Sequence, residues 1–91
     1  MLLGEDVALR AKVFEALADP DRLRLVLHLA QRGPARGVEL AEACGMSVAL
    51  LLHHWKVLAE AGLLSTRREG TGRYCSLNVA ALKAAVGALL G

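Results

Sequence analysis

The sequence predicts a mostly α-helical fold closed by one small β-hairpin, and three observations carry that expectation. Glu39 to Leu64 holds two helical patterns separated by a turn of a few residues, marked by Gly45 and Ser47. Leu64–Glu69 and Arg73–Leu77 read as two short strands around Gly70-Thr71-Gly72. Elsewhere apolar residues recur at helical spacing. Two helices joined by so short a turn must cross steeply, and a basic hairpin directly after them is a wing. The predicted architecture is therefore a winged helix-turn-helix: five helices plus a two-stranded wing, in a single domain over 1–91.

Each element has a local cause. The first helix runs from about Glu5 to Leu17, with Val7, Ala11, Phe14 and Leu17 at helical spacing. Asp19 caps the second helix, and Pro20 sits at its first position, where a missing N–H costs nothing. That helix carries Leu23, Val26, Leu27 and Ala30 and stops near Gly33-Pro34; Arg36 and Gly37 are placed in a loop. The third helix is short, Val38 to Cys44, and Gly45 closes it in the left-handed conformation. Ser47 is the N-cap of the fourth, Val48 to Ala61, which ends at Gly62. After the hairpin, Asn78 caps a last helix, Val79 to Leu90.

Composition sets bounds. Ninety-one residues make one domain that buries a modest fraction of its surface. The hydrophobic content is 55%, with 3% aromatic residues, more apolar surface than a compact monomer covers. The last helix makes the same point. Val79, Leu82, Val86, Leu89 and Leu90 share one arc, alanines fill most of the opposite side, and Lys83 is its only charge. A helix apolar all round is buried all round. The large side chains are expected to pack on their own domain and the alanines to admit a second copy. The expected homodimer interface is Val7, Ala11 and Phe14 with Ala81, Ala84, Ala85 and Ala88.

A net charge of +2 and a pI near 8.8 allow a nucleic-acid partner without proving one. No run approaches eighteen uncharged apolar residues, so no membrane span is expected. The N-terminus lacks a basic region followed by an apolar core, so no secretory signal is expected either. Two cysteines far apart are no disulfide framework, and a reducing cytoplasm is the default.

With the wing in place, the chain resembles the ArsR/SmtB family of winged-helix repressors. FEALADPDRLRLVLHLA (Phe14–Ala30), LLHHWKVLAEAGLL (Leu51–Leu64) and RREGTGRYCSLN (Arg67–Asn78) are similar, in order, to the family's second-helix entry, reading helix and wing. The resemblance covers about Phe14 to Asn78. It implies a homodimer that binds a palindromic operator on double-stranded DNA and releases it when an effector or oxidant arrives. The sequence does not name the effector.

Departures from the family pattern narrow that implication. Many members sense metals through a C-x-C pair in the third helix, and others through Asp and His on the last. ARGVELAEACG and NVAALKAAVGALLG carry neither, which excludes those two routes, and no metal or cofactor is assigned. His53 and His54 project about 100° apart on a helix and cannot chelate one ion together. His54 falls on the packed face near Leu50 and Val57, and His28 lies among apolar neighbours; both are read as structural. Cys44, at a helix end, and Cys75, in phase with Leu77, are expected to face inward as small hydrophobes. Cys75, near Arg73, is the better candidate of the two for a redox role.

The reading helix is unusual. With Leu51, Trp55 and Leu58 turned to the core, its outward face carries Ala49, Leu52, His53, Lys56 and Glu60, with Val48 at the edge. Apolar side chains touch a thymine methyl but make none of the hydrogen bonds that distinguish base edges. Two readings stand at this point. In one, the chain is a DNA-binding repressor using Ser47, Val48, Ala49, Leu52, His53 and Lys56 with Arg67, Arg68 and Arg73 of the wing. In the other, the helix is an apolar protein-binding surface on the same scaffold. No nucleophile–base pair, glycine-rich phosphate loop or paired carboxylates in a cleft point to an enzyme.

Overall fold

The computed structural model describes residues 4–90; the side chain of Glu5 and the two ends of the 1–91 domain lie outside the described residues. The elements run α1 (Gly4–Leu17), α2 (Pro20–Arg32), β1 (Ala35–Arg36), α3 (Gly37–Ala43), α4 (Val48–Glu60), β2 (Leu64–Glu69), β3 (Gly72–Leu77) and α5 (Val79–Leu90). None of these helices is long and apolar enough to cross a membrane.

The expected caps form. Asp19 Oδ1 accepts from the backbone N–H groups of Asp21 (2.9 Å) and Arg22 (3.1 Å). These bonds to the charged form hold its carboxyl below the usual value, with the Arg22 charge adding to the effect. Ser47 Oγ accepts from Leu50 N at 3.1 Å, satisfying one of the donors left free at a helix start. Asn78 does two things. Its Oδ1 accepts from Ala81 N at 3.1 Å, and its Nδ2 donates to the Gly62 carbonyl at 3.1 Å, tying the start of α5 to the end of α4. Gly45 (φ 67°) and Gly62 (φ 80°) take the left-handed conformation that turns the chain out of α3 and α4.

The wing is larger than the sequence indicated. β2 and β3 pair antiparallel from Leu64↔Leu77 to Glu69↔Gly72 around a two-residue loop, Gly70-Thr71. β1, read from sequence as loop, adds a third strand through Ala35↔Cys75 and Arg36↔Tyr74. Two residues are too short to show an alternating pattern, and their partner strand lies about forty residues away, so the local sequence carries no trace of the pairing.

The core is one cluster centred on Leu25, Leu40, Leu51, Leu58 and Leu63, all fully buried. Each such leucine contributes about 1.5–3 kcal/mol relative to exposure. Val13 and Ala16 reach it from α1, Ala35 and Cys75 from the sheet, and Ala85 from α5.

Two helices are rotated from their expected settings. In α2 the inward residues are Leu25, Val26 and Leu29, while Leu23, Leu27 and Ala30 are exposed. Leucines at 23, 25, 27 and 29 offer two competing stripes, and packing against β3 and α4 selects one. In α5 the expected arrangement holds only in part: Leu82 and Val86 are half-buried and Ala84 and Ala88 exposed. Ala85 is 3% exposed and packs within its own protomer, whereas Val79, Leu89 and Leu90 are exposed. Only Leu82 of the expected apolar arc packs against the core cluster. α5 lies close against α1, and a small residue suits that contact better than a branched one.

Candidate nucleic-acid interface

The fourth helix is held by its inner face. Leu51, His54 and Leu58 are buried and Trp55 is half-buried, which fixes the rotation of α4 on the core. The opposite face presents Ser47, Val48, Ala49, Leu52, His53 and Lys56, all exposed. Leu50 is exposed as well, so it does not pack beside His54 as expected. Arg67, Arg68 and Arg73 are likewise exposed on the wing. Residues from β1, α4, β3 and the hairpin loop converge where the wing tip approaches α4: Arg36, Val48, Leu52, Thr71 and Arg73 line one groove of about 520 Å³.

Wing chemistry follows from strand register. Arg68 lies directly opposite Arg73, and Arg67 opposite Tyr74. Arg67 makes a salt bridge to Glu69 at 3.2 Å, but both groups are exposed and such a pair is worth little. Arg36 joins the row on β1, its guanidinium 6.0 Å from the Tyr74 ring centroid. The same guanidinium lies against Gly72, where an added Cβ would stand 2.8 Å from Nη2. Gly72 thus leaves room for the arginine to lie along the wing. Sequence reading missed Arg36 because the strand pairing that brings it beside the wing is non-local.

The polar contacts behind α4 are also set by tertiary structure. Asp19, Asp21 and His54 each bring a ligand-type atom within 4.8 Å of the others, a cluster the distance between positions 21 and 54 hides in the sequence. Arg22 Nη1 approaches His54 Nδ1 at 3.4 Å, and Arg22 Nε donates to the Ala16 carbonyl at 2.7 Å. His54 Nε2 faces Asp21 Oδ2 at 3.7 Å and is buried without a hydrogen-bond partner. Arg24 occupies the other Asp21 oxygen at 2.9 Å. The group lies where α2 meets the inner face of the reading helix.

Cys44 and Cys75 are buried free thiols. Burial pushes both thiols above their usual value; for Cys44 the nearby Arg24 charge opposes the shift without cancelling it. A raised value disfavours the thiolate, the reactive form.

Of the residues expected at a dimer interface, Val7, Ala11, Ala84 and Ala88 are exposed and Phe14 and Ala81 half-buried. Ala85 is corrected: its own protomer already covers it.

A helix with one face on the core and the other exposed, beside a basic hairpin, defines a winged helix-turn-helix module. Comparison with known proteins places it further. Residues 17–67 match a family described as a helix-turn-helix domain. The chain is 33% identical over 78 residues to the transcriptional repressor SdpR of Bacillus subtilis, covering 86% of each. A crystal structure of an ArsR family transcriptional regulator superposes with a TM-score of 0.79 at 31% identity, over 99% of this chain and 89% of that one. The solution structure of the homodimeric winged helix-turn-helix DNA-binding domain of a possible ArsR-family regulator from Mycobacterium bovis gives 0.76 at 32%, over 98% and 87%. The chain belongs to the ArsR family of winged helix-turn-helix transcriptional regulators. Its work is regulatory, through a helix-turn-helix DNA-binding domain, and it is not an enzyme.

Proposed function

We propose that the protein is a repressor that binds a palindromic operator as a homodimer, with α4 in the major groove and the wing (64–77) on the backbone and minor groove. One observation carries this reading: Val48 and Leu52 of α4 and Arg73 of the wing line the same groove. A duplex seated there meets apolar side chains for its base edges and guanidinium groups for its phosphates. Phosphate contacts fix register and supply affinity, while base contacts select sequence. An apolar reading face makes few specific hydrogen bonds, so selectivity is modest and rests on His53 and on contacts with thymine methyl groups.

Dimerisation is supported by the exposed apolar residues of α1 and α5, Val7, Leu9, Val79, Leu89 and Leu90. A groove of about 320 Å³ runs between the two helices, walled in part by Ala81, Ala84 and Leu9. The M. bovis relative is described as homodimeric. In a symmetric dimer the two reading helices enter successive major grooves, so half-sites lie about one helical turn apart. A target on chromosomal DNA and two unpaired cysteines fit the cytoplasm.

A titration against labelled duplex from the region upstream of its own reading frame, with a scrambled duplex of equal length, tests the reading. A several-fold preference for the upstream duplex supports it. Absence of binding to either at low salt overturns it. The exposed Val38 (68%) and Leu52 (61%) would then favour the second reading, a surface for an apolar protein partner.

A further inference from the structure

The groove between α4 and the wing continues inward. A second cavity of about 170 Å³ shares Gly37, Leu51, Leu52 and Arg73 with it. Trp55, Thr66 and Cys75 complete the lining of this second cavity. Leu51, Leu52 and Trp55 give it largely apolar walls, to which Thr66, Cys75 and Arg73 add polar groups. Arg73 has no carboxylate partner among the described residues. Glu39, exposed on α3, is the one acid lining the outer groove, against Arg36 and Arg73.

Gly37 keeps the cleft open. It lies in both walls, and its φ is outside the left-handed range, so no turn requires a glycine there. A Cβ would meet only Leu51 Cδ2 at 3.6 Å, an ordinary contact. Gly37 is the first residue of α3, and packing does not call for a glycine there. What its missing side chain preserves is space beside Leu51 and Leu52.

We propose that this cleft binds a small organic anion with an apolar body, its acid group on Arg73 and its body against Leu51, Leu52 and Trp55, and that the occupant competes with DNA. An unpaired guanidinium matches a carboxylate in a bidentate geometry. The outer groove alone falls within the usual size range of ligand pockets, roughly 300–1,000 Å³. Competition follows because Leu52 and Arg73 also belong to the DNA face; that half rests on the proposed DNA reading, whereas anion binding does not.

Trp55 is the only tryptophan in the chain and lines the inner cavity, so it reports occupancy directly. The full chain is titrated with octanoate and, as a neutral counterpart, with 1-octanol, at constant ionic strength. The expected result is a saturable change in Trp55 emission with octanoate. Octanol binds about tenfold more weakly, and Arg73→Gln lowers octanoate affinity about tenfold, the ratio a charge-assisted hydrogen bond supplies. Thr66→Phe, at an exposed strand position, fills the cavity and abolishes the emission change, and its own duplex affinity is measured beside it as the reference for displacement. In the wild type, octanoate displaces bound duplex; in Thr66→Phe it does not. A flat Trp55 titration, or equal octanoate binding by wild type and both variants, overturns the site. Saturable binding with no displacement of duplex overturns the competition. If no duplex binds at all, the Trp55 titration still decides the site, so its failure is distinct from failure of the DNA reading.

Discussion

Arg68 and Arg73 stand directly opposite one another across the wing, a like-charge pair with no carboxylate partner among the described residues. Like charges facing across adjacent strands are destabilising. The arrangement makes sense if a polyanion supplies the missing counter-charge. Stability and binding should then move in opposite directions on mutation. Arg73→Thr is expected to stabilise the protein by about 0.2–1 kcal/mol and to weaken DNA binding on all sequences alike. Urea unfolding and duplex titrations on the same preparation check both halves.

The face of α4 should set sequence preference. Leu52→Ala and His53→Ala remove side chains that point away from the core, toward base edges in the proposed complex. Each is expected to change the ratio of affinities between operator and scrambled duplex, by up to about tenfold. The slope of affinity against salt should stay unchanged, since neither touches phosphate. A uniform loss across both duplexes would assign these residues a structural role.

Neighbouring alanines of α5 should behave differently. Ala84 is exposed and Ala85 is buried in its own protomer. Ala84→Glu is expected to give a folded monomer, because an unpaired charge in a buried interface is costly. Ala85→Glu instead places the charge in the core and should lower the thermal midpoint whatever the oligomeric state. Sedimentation with circular dichroism separates the outcomes, and a dimeric Ala84→Glu would remove α5 from the interface.

Much of this was legible in the sequence, and the rest was hidden for identifiable reasons. Asp19, Ser47 and Asn78 cap helices through bonds to residues two or three positions on, so local sequence suffices to find them. Gly45 and Gly62 are equally local. The outward face of α4 was readable because Leu51 and Leu58 leave one possible inward face. In α2 and α5 apolar residues surround the helix, and rotation is chosen by neighbours the sequence does not display; Ala85 was therefore set on the wrong side. β1, Arg36 beside the wing, the cleft behind Leu52 and the Asp21–His54 approach all depend on contacts between distant positions.

Acid should expose the Asp19 cap. Its carboxyl titrates below the unfolded value of 3.8, chiefly because the Arg22 backbone N–H binds the charged form. A depressed folded value means the charge contributes stability above about pH 3.8 and loses it as pH falls through the lower folded value. Asp19→Asn keeps a capping oxygen without the charge. The wild type is expected to have the higher thermal midpoint at neutral pH. The difference should shrink steadily below pH 3.8, as thermal scans of both proteins from neutral pH to about pH 2 will show.

A dimer that grips duplex DNA through paired basic wings should release counterions from the phosphates it neutralises. Lys56, Arg67, Arg68 and Arg73 offer up to four phosphate partners per protomer, so a dimer engaging three or four of them neutralises about six to eight phosphates. Fluorescence anisotropy of the upstream duplex, followed from about 50 to 200 mM salt, measures this directly. The expected result is that log affinity falls linearly with log salt, with a slope of about −5 to −7. A slope near zero, or no binding at the lowest salt, would contradict it.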